Sequence, residues 1–229
     1  IANYGADSNP NLTITNDVRS WGIQVVGARN DNFEIMDYTS SNSVPKLTVQ
    51  STTGNVGIGT TTPTSLLQVS GATPKFYLSN TSGGVDGKHW FLSNASGDFS
   101  LGTTSDSLAT NSTFLTVKGS TGNVGIGTTT PTSLLQVSGA TPKFYLSNTS
   151  GAVDGKHWFL SNSGGDFSLG TTSDSLATNS TFLTVKGSTG NVGIGTTSPG
   201  TLLSLGNTGA NTINISAIAT STFGSGIDV

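Results

Sequence analysis

Apolar residues in this chain come in short runs, and within most runs they occupy every second position. Across residues 54–121 these runs are NVGIG from Asn55, SLLQV from Ser65, KFYLSN from Lys75, HWFLSN from His89, DFSLGT from Asp98 and TFLTV from Thr113. Period-two alternation marks a strand with one buried face, so Phe76 with Leu78, Phe99 with Leu101, and Val56 with Ile58 are expected to share a side. Between the runs lie SNTSGGVDGK, SNASG, GTTSDSLATNS, KGSTG, GTTTPT and SGATP. All are turn chemistry: Gly supplies positive φ, Asn, Asp and Ser bond their own backbone, and Pro fixes φ where no ladder donor is needed. One strand about every 11 residues predicts an all-β array. Helix is excluded by the same pattern, since Ala, Leu, Glu and Lys never recur at 3.6 spacing, and Glu34 and Met36 are single occurrences.

The runs are duplicated. Residues 54–121 recur as 122–189 with three differences, Gly84 against Ala152, Ala95 against Ser163 and Ser96 against Gly164. A third unit opens at Gly190 with GNVGIGTTSP and then diverges. Before Gly54 stands a degenerate copy of the second half of the unit, in which Trp21, Phe33 and the run KLTV at Lys46–Val49 correspond to Trp90, Phe99 and FLTV at Phe114–Val117. The organisation read from this is a partial repeat over 1–53, full units over 54–121 and 122–189, and a diverged third start over 190–229.

Six short strands with about two inward apolar residues each form a thin sheet with one apolar face and two open edges. Stacking the next unit covers only the ends. The expected solution is association of identical chains around a common axis. The glycines of NVGIG alternate with Val and Ile, leaving the opposite side of that strand bare, where another backbone can approach or one chain's own coil can turn tightly.

Composition agrees with many short β-strands and narrows the function. The chain is 33% hydrophobic and 9% charged, while 33 Ser, 37 Thr, 19 Asn and 31 Gly make up over half of its 229 residues. That leaves little apolar volume for a compact enzyme. A net charge of -3 is too small to keep the chain expanded. With nine Lys and Arg scattered singly, there is no basic patch to neutralise phosphates, and nucleic acid is excluded as a partner. No apolar run approaches the ~20 residues that span a bilayer, so membrane insertion is not expected. Without cysteine there is no disulfide framework, thiolate metal site or Cys nucleophile. Starting at Ile1 rather than Met, the chain reads as a processed product or a piece of something longer.

The segment GNVGIGTTTPTSLLQV at 54–69 and 122–137, with the variant GNVGIGTTSPGTLLSL at 190–205, resembles a GNVGIGTTxPxxxLxV signature. That signature is found in phage tail-fibre shafts and in very long repetitive bacterial surface proteins. The preceding order of an aromatic strand, HWFL, DFSL, FLTV and GSTGNVGIG is similar to the rest of that family's unit, so the likeness spans nearly the whole chain. It implies a homotrimeric, β-rich extracellular fibre, on a bacterial cell surface or a virion. The closing ATSTFGSGIDV is similar to surface proteins of small bacteria.

Candidate chemistry is sparse. GNVGIGTT is glycine-rich, but no Lys follows in a GK[ST] position and Pro63 interrupts where a phosphate-binding helix would begin. The repeat's carboxylates, Asp86, Asp98 and Asp106, are isolated among turn residues, and turn capping is their expected role rather than a paired acid and base. The segment VDGKHWFL is the richest in chemistry. It brings Asp86, Lys88, His89 and Trp90 together, and its copy Asp154, Lys156, His157 and Trp158, a composition able to bind a sugar by stacking and hydrogen bonds. Trp21 holds the equivalent place in SWGIQV with neither His nor Lys beside it, which favours a packing role. One His per unit could ring a threefold axis as a metal site, but a lone His is more often a satisfied structural residue, and no metal is expected. Seven Asn-x-Ser/Thr sequences, the first at Asn11, are expected by chance in a chain so rich in Asn and Thr. Lys to Asn or Asp crosslinks need a nearby acid, usually Glu, and the repeat has none.

The expectation is therefore an all-β, elongated, repetitive fibre of short strands, an intertwined parallel homotrimer of triple-stranded β-helix or β-prism type. It is non-enzymatic, needs no cofactor, and serves as a structural shaft that spans distance and presents an adhesive tip to a cell-surface glycan or receptor. The alternative is a carbohydrate-binding or carbohydrate-cleaving spike with inter-chain grooves lined by VDGKHW.

Overall fold

The computed structural model describes residues 9–39, 45–80, 82, 89–109, 111–148, 150, 157–177 and 179–206. Three six-stranded open sheets hold just over half of them, and turns and loops the rest. Sheet 1 runs β1 (Asn11–Thr15), β2 (Ser20–Val26), β3 (Asn32–Asp37), β4 (Pro45–Val49), β5 (Val56–Ile58) and β6 (Leu67–Val69). Sheet 2 repeats it as β7 (Lys75–Ser79), β8 (His89–Ala95), β9 (Asp98–Thr104), β10 (Asn111–Val117), β11 (Val124–Ile126) and β12 (Leu135–Val137). Sheet 3 is β13 (Lys143–Ser147), β14 (His157–Ser163), β15 (Asp166–Thr172), β16 (Asn179–Val185), β17 (Val192–Ile194) and β18 (Leu203–Leu205). The sole helical element among the described residues is a 3-10 turn at Gly27–Arg29. The all-β expectation holds, and each of the six apolar runs forms a strand. The chain divides into two compact units, Ile1–Gln136, which contains sheet 1 and most of sheet 2, and Val137–Val229, which contains sheet 3.

Within each sheet neighbours in space are neighbours in sequence, so hydrogen bonding joins strands of the same chain. The first five strands form an antiparallel meander, whereas β5 with β6, and β17 with β18, are parallel. A parallel pair needs a crossover, here the eight residues 59–66. They lie over the sheet at Gly57, where an added Cβ would sit 2.5 Å from the Thr60 carbonyl oxygen and 3.3 Å from Pro63. Glycine in NVGIG thus admits the chain's own crossover. The loop is held by Asn55 Nδ2, which donates to the Pro63 carbonyl at 3.0 Å, and by Gln68 Oε1, which accepts from Thr64 N–H at 2.9 Å. Asn123 and Asn191 make the same bond to Pro131 and Pro199.

The two faces of a sheet differ in kind. Beneath the crossover the buried side chains are largely polar: Glu34, Thr48, Thr104, Thr116, Thr172 and Thr184 are at most 2% exposed. Glu34 is paired there by Arg29 at 2.9 and 2.5 Å in a two-pronged bridge, and Tyr38 donates to Gln24 Oε1 at 2.5 Å. In sheets 2 and 3, Phe91 and Phe159 fill the corresponding region, each 3% exposed and edge-on to Tyr77 or Tyr145. This explains how a chain with so little apolar content folds. Small hydroxyl residues bring the crossover close, and few large side chains are needed on that side.

Candidate functional site

Alternation along β8 separates the two most suggestive residues of VDGKHWFL. His89 pairs in register with Ser79 and Thr104, Trp90 with Leu78 and Thr103, and consecutive strand residues point to opposite faces. His157 and Trp158 diverge in the same way on β14. The composite sugar site expected from adjacency is not assembled by these two residues, because a strand turns neighbours apart. Asp86, Lys88, Asp154 and Lys156 lie outside the described residues.

His89 lies on the crossover side, its side chain 17% exposed. Its Nδ1 is 2.8 Å from Ser79 Oγ, and its Nε2 is 3.6 Å from Asp106 Oδ1. The copy reproduces the set, His157 with Ser147 at 2.9 Å and with Asp174 at 3.5 Å. A serine, a histidine and an aspartate in line resemble a nucleophilic triad in composition, but in a triad the carboxylate hydrogen-bonds the ring nitrogen opposite the serine. At 3.6 Å it is beyond that bond. What the set does is tie β7, β8 and the turn after β9 together.

The remaining carboxylates clamp turns. Asp98 accepts from Lys118 Nζ and from Gly119 N–H, the latter at 3.1 Å, joining the start of β9 to the end of β10. Asp166, Lys186 and Gly187 repeat this at β15 and β16. Asp98 and Asp106 flank β9 at opposite ends, roughly 20 Å apart for a strand of this length, too far to act as a glycosidase pair. Among the described residues no group of three or more His, Asp or Glu is placed to hold a metal ion.

The Lys118 side-chain bond, and then the Gly119 N–H, hold the Asp98 carboxyl below its usual range, and the same causes act on Asp166. A folded pKa below the unfolded one stabilises the fold above the ordinary carboxylate value of about 3.9, and the contribution fades as pH falls through the lowered value. Thermal melts followed by circular dichroism should show stability dropping below about pH 4. Asp98→Asn with Asp166→Asn should flatten that acid limb while lowering the melting temperature at neutral pH; an unchanged acid limb would refute the role.

The larger feature is the face opposite the crossover. Cross-strand register aligns Leu12, Ile23, Ile35, Leu47, Ile58 and Val69 in one rank across all six strands of sheet 1. Sheet 3 aligns Phe144, Leu160, Leu169, Leu183, Ile194 and Leu205. A second rank on the same face joins Val25, Phe33, Val49, Val56 and Leu67. Many of these side chains are exposed, among them Phe33 at 41%, Phe144 at 56% and Ile194 at 50%. Trp90 joins this face at 44% exposure, its ring 5.5 Å from Phe114. Phe114 is there because of a β-bulge: register shifts between Thr113 and Leu115, and the extra residue turns toward the tryptophan. Phe182 does the same beside Trp158 at 5.4 Å. Lys46 occupies the bulge in sheet 1, 3.9 Å from Asp37. The sequence signalled an apolar face through its alternation, but neither the bulge nor the alignment of ranks has a signature in a single run.

No helix among the described residues is long and apolar enough to cross a membrane. In comparisons with known proteins, no family model and no curated protein sequence matches this chain.

Proposed function

We propose that this chain is a non-enzymatic shaft segment of an extracellular fibre, on a bacterial surface or a virion, built as a parallel homotrimer. In this reading three chains pack their apolar faces around a common axis, each giving one sheet to a three-sided prism, and length is set by the number of sheets. The observation that carries it is the unbroken apolar rank crossing all six strands of sheets 1 and 3 on the face opposite the crossover. Leaving such a face in water costs about 25 cal/mol for each Å², and identical chains bring identical ranks. An adhesive tip that meets a glycan or receptor belongs to the parent fibre rather than to these sheets.

The carbohydrate spike draws support from exposed Trp90 and Trp158, since an aromatic face can stack on a sugar. Against it, the neighbours of Trp90 across the sheet are Leu78 and Thr103, with His89 turned away, so few hydrogen-bonding groups surround the ring. A glycan array on the intact chain separates the two readings. Light scattering should report three chains, and a soluble monomer at micromolar concentration would sink the shaft.

Removing residues 54–121 gives a further test. Residues 122–137 are identical to 54–69, so the shortened chain restores sheet 1 in full and loses one sheet. A modular shaft should keep its oligomeric state and cooperative melting after this deletion. Loss of folding would show that the sheets are not modular.

A further inference from the structure

The two edges of a sheet differ. In sheet 2 the outermost strands are β7 and β12, and described strands precede and follow both in the sequence. Beside the β7 edge lies an apolar crevice of about 210 Å³, walled by Phe76, Leu92, Phe99 and Val69. Lys75 stands at its rim, but the ammonium turns to the other face, 5.2 Å from the centre of the Phe91 ring, so the crevice offers no charge to what enters it. At the β12 edge stands Leu135, 62% exposed. Sheet 3 repeats the crevice at the same volume with Phe144, Leu160 and Phe167, and carries Leu203 on its last strand.

Leucine and crevice match in face, in level and in size. Phe99 pairs with Val117 and Val117 with Val124, and Leu135 holds the place that Leu67 and Leu203 hold beside Val56 and Val192, so the leucine ends the rank that begins at the crevice wall. A dry cavity of about 150 Å³ accepts a benzene ring, and 210 Å³ takes the branched end of a leucine. Drift between the copies spares both features. In sheet 1, Leu12, Ile23 and Phe33 replace Phe76, Leu92 and Phe99 with apolar residues, whereas on the other face Gly22 replaces Phe91 and Met36 replaces Gly102. On the last strand Gln68 and Gln136 give way to Ser204, but Leu67, Leu135 and Leu203 persist. A sheet cannot seat its own leucine, because the two edges are five strand spacings apart, roughly 24 Å.

We propose that a second copy of this chain fills the crevice: Leu135 of one copy enters the space walled by Phe76, Leu92 and Phe99 of its neighbour, sheet 2 against sheet 2. The contact is heterologous, last edge to first edge, and it closes when the copies stand in a ring. Every sheet then gives one leucine and receives one. This rests on the three-chain reading and adds to it the register: chains run parallel, with equal sheets at equal height.

The intact chain has no cysteine, so Leu135→Cys with Phe76→Cys introduces the only thiols. Mild oxidation of this double variant should link chains into covalent trimers and stop there, since a disulfide needs Cα atoms within about 7 Å and the two sites on one chain are too far apart to join. Leu135→Cys with Leu78→Cys moves the second thiol two residues, roughly 7 Å, along β7 on the same face, and should link far less. Gentler changes give an independent measurement. Leu135→Ala and Phe76→Ala should each loosen the trimer, and the double variant should fall short of the product of the single effects by at least about twofold, a coupling that sites so distant within one chain do not show. Equal linkage in the two cysteine pairs, or effects that simply multiply, in a chain that is trimeric by native mass, overturns the proposal and leaves the three-chain reading standing. Covalent species running past three chains overturn the closed ring. A chain that is monomeric by native mass removes the three-chain reading and this contact with it.

Discussion

If three chains pack through their apolar faces as proposed, Ile126→Asp combined with Ile194→Asp is expected to give single chains without unfolding them. Both residues are about half exposed on their own sheet, at 46% and 50%, so a carboxylate there remains in water in an isolated chain. In the proposed three-chain assembly each would belong to an apolar rank facing another chain, where an unpaired charge costs several kcal/mol. Three chains multiply that penalty. Light scattering should fall from three chains to one, with the β-type circular dichroism spectrum retained. Substituting Thr62 and Thr130 with Asp, on the crossover side, is the comparison and should leave the mass unchanged. A double variant that stays trimeric would show that the apolar face is not the contact surface.

The second large effect is expected within a sheet. At Gly170 an added Cβ would lie 2.1 Å from the Ser180 carbonyl oxygen and 2.9 Å from Phe159 Cζ, and Gly102 faces Ser112 and Phe91 with the same spacings. The first obstacle is backbone of the adjacent strand, placed there by the bulge at Phe182, and it cannot rotate aside. Gly170→Ala should therefore pry β15 from β16 and cost about 3 kcal/mol, the upper end for overpacking, although alanine suits a strand better than glycine. Gly139→Ala, with nothing within 4 Å, should stay within about 0.5 kcal/mol. Urea unfolding of both variants measures the difference, and equal midpoints would mean the strands separate at no cost.

Much of the fold was legible because strands write themselves locally. The runs from Lys75, His89, Asp98 and Thr113 became β7 to β10, and Trp21, Phe33 and Lys46 took the places of Trp90, Phe99 and Phe114. The candidate site was less legible. His89 and Trp90 are adjacent in sequence and opposed in space, and the partners of His89, Ser79 and Asp106, lie 10 and 17 positions away. The glycines of NVGIG illustrate the same limit. Alternation showed that one side of the strand is bare, but an approaching loop and an approaching chain leave the same pattern in the sequence.

By itself the sequence determined the all-β class, the six strands of each unit, their turns and the one-sidedness of each strand. Those properties depend on residues within a few positions of one another, on side-chain alternation, backbone φ and turn hydrogen bonds. Only the tertiary structure decided the parallel crossover over Gly57, the bulges that turn Phe114 and Phe182 toward the tryptophans, and the polar burial of Thr48 and Glu34. It also decided the register that merges short runs into ranks across six strands. Register is a choice between strands, and a shift of one residue would move every apolar side chain to the other face.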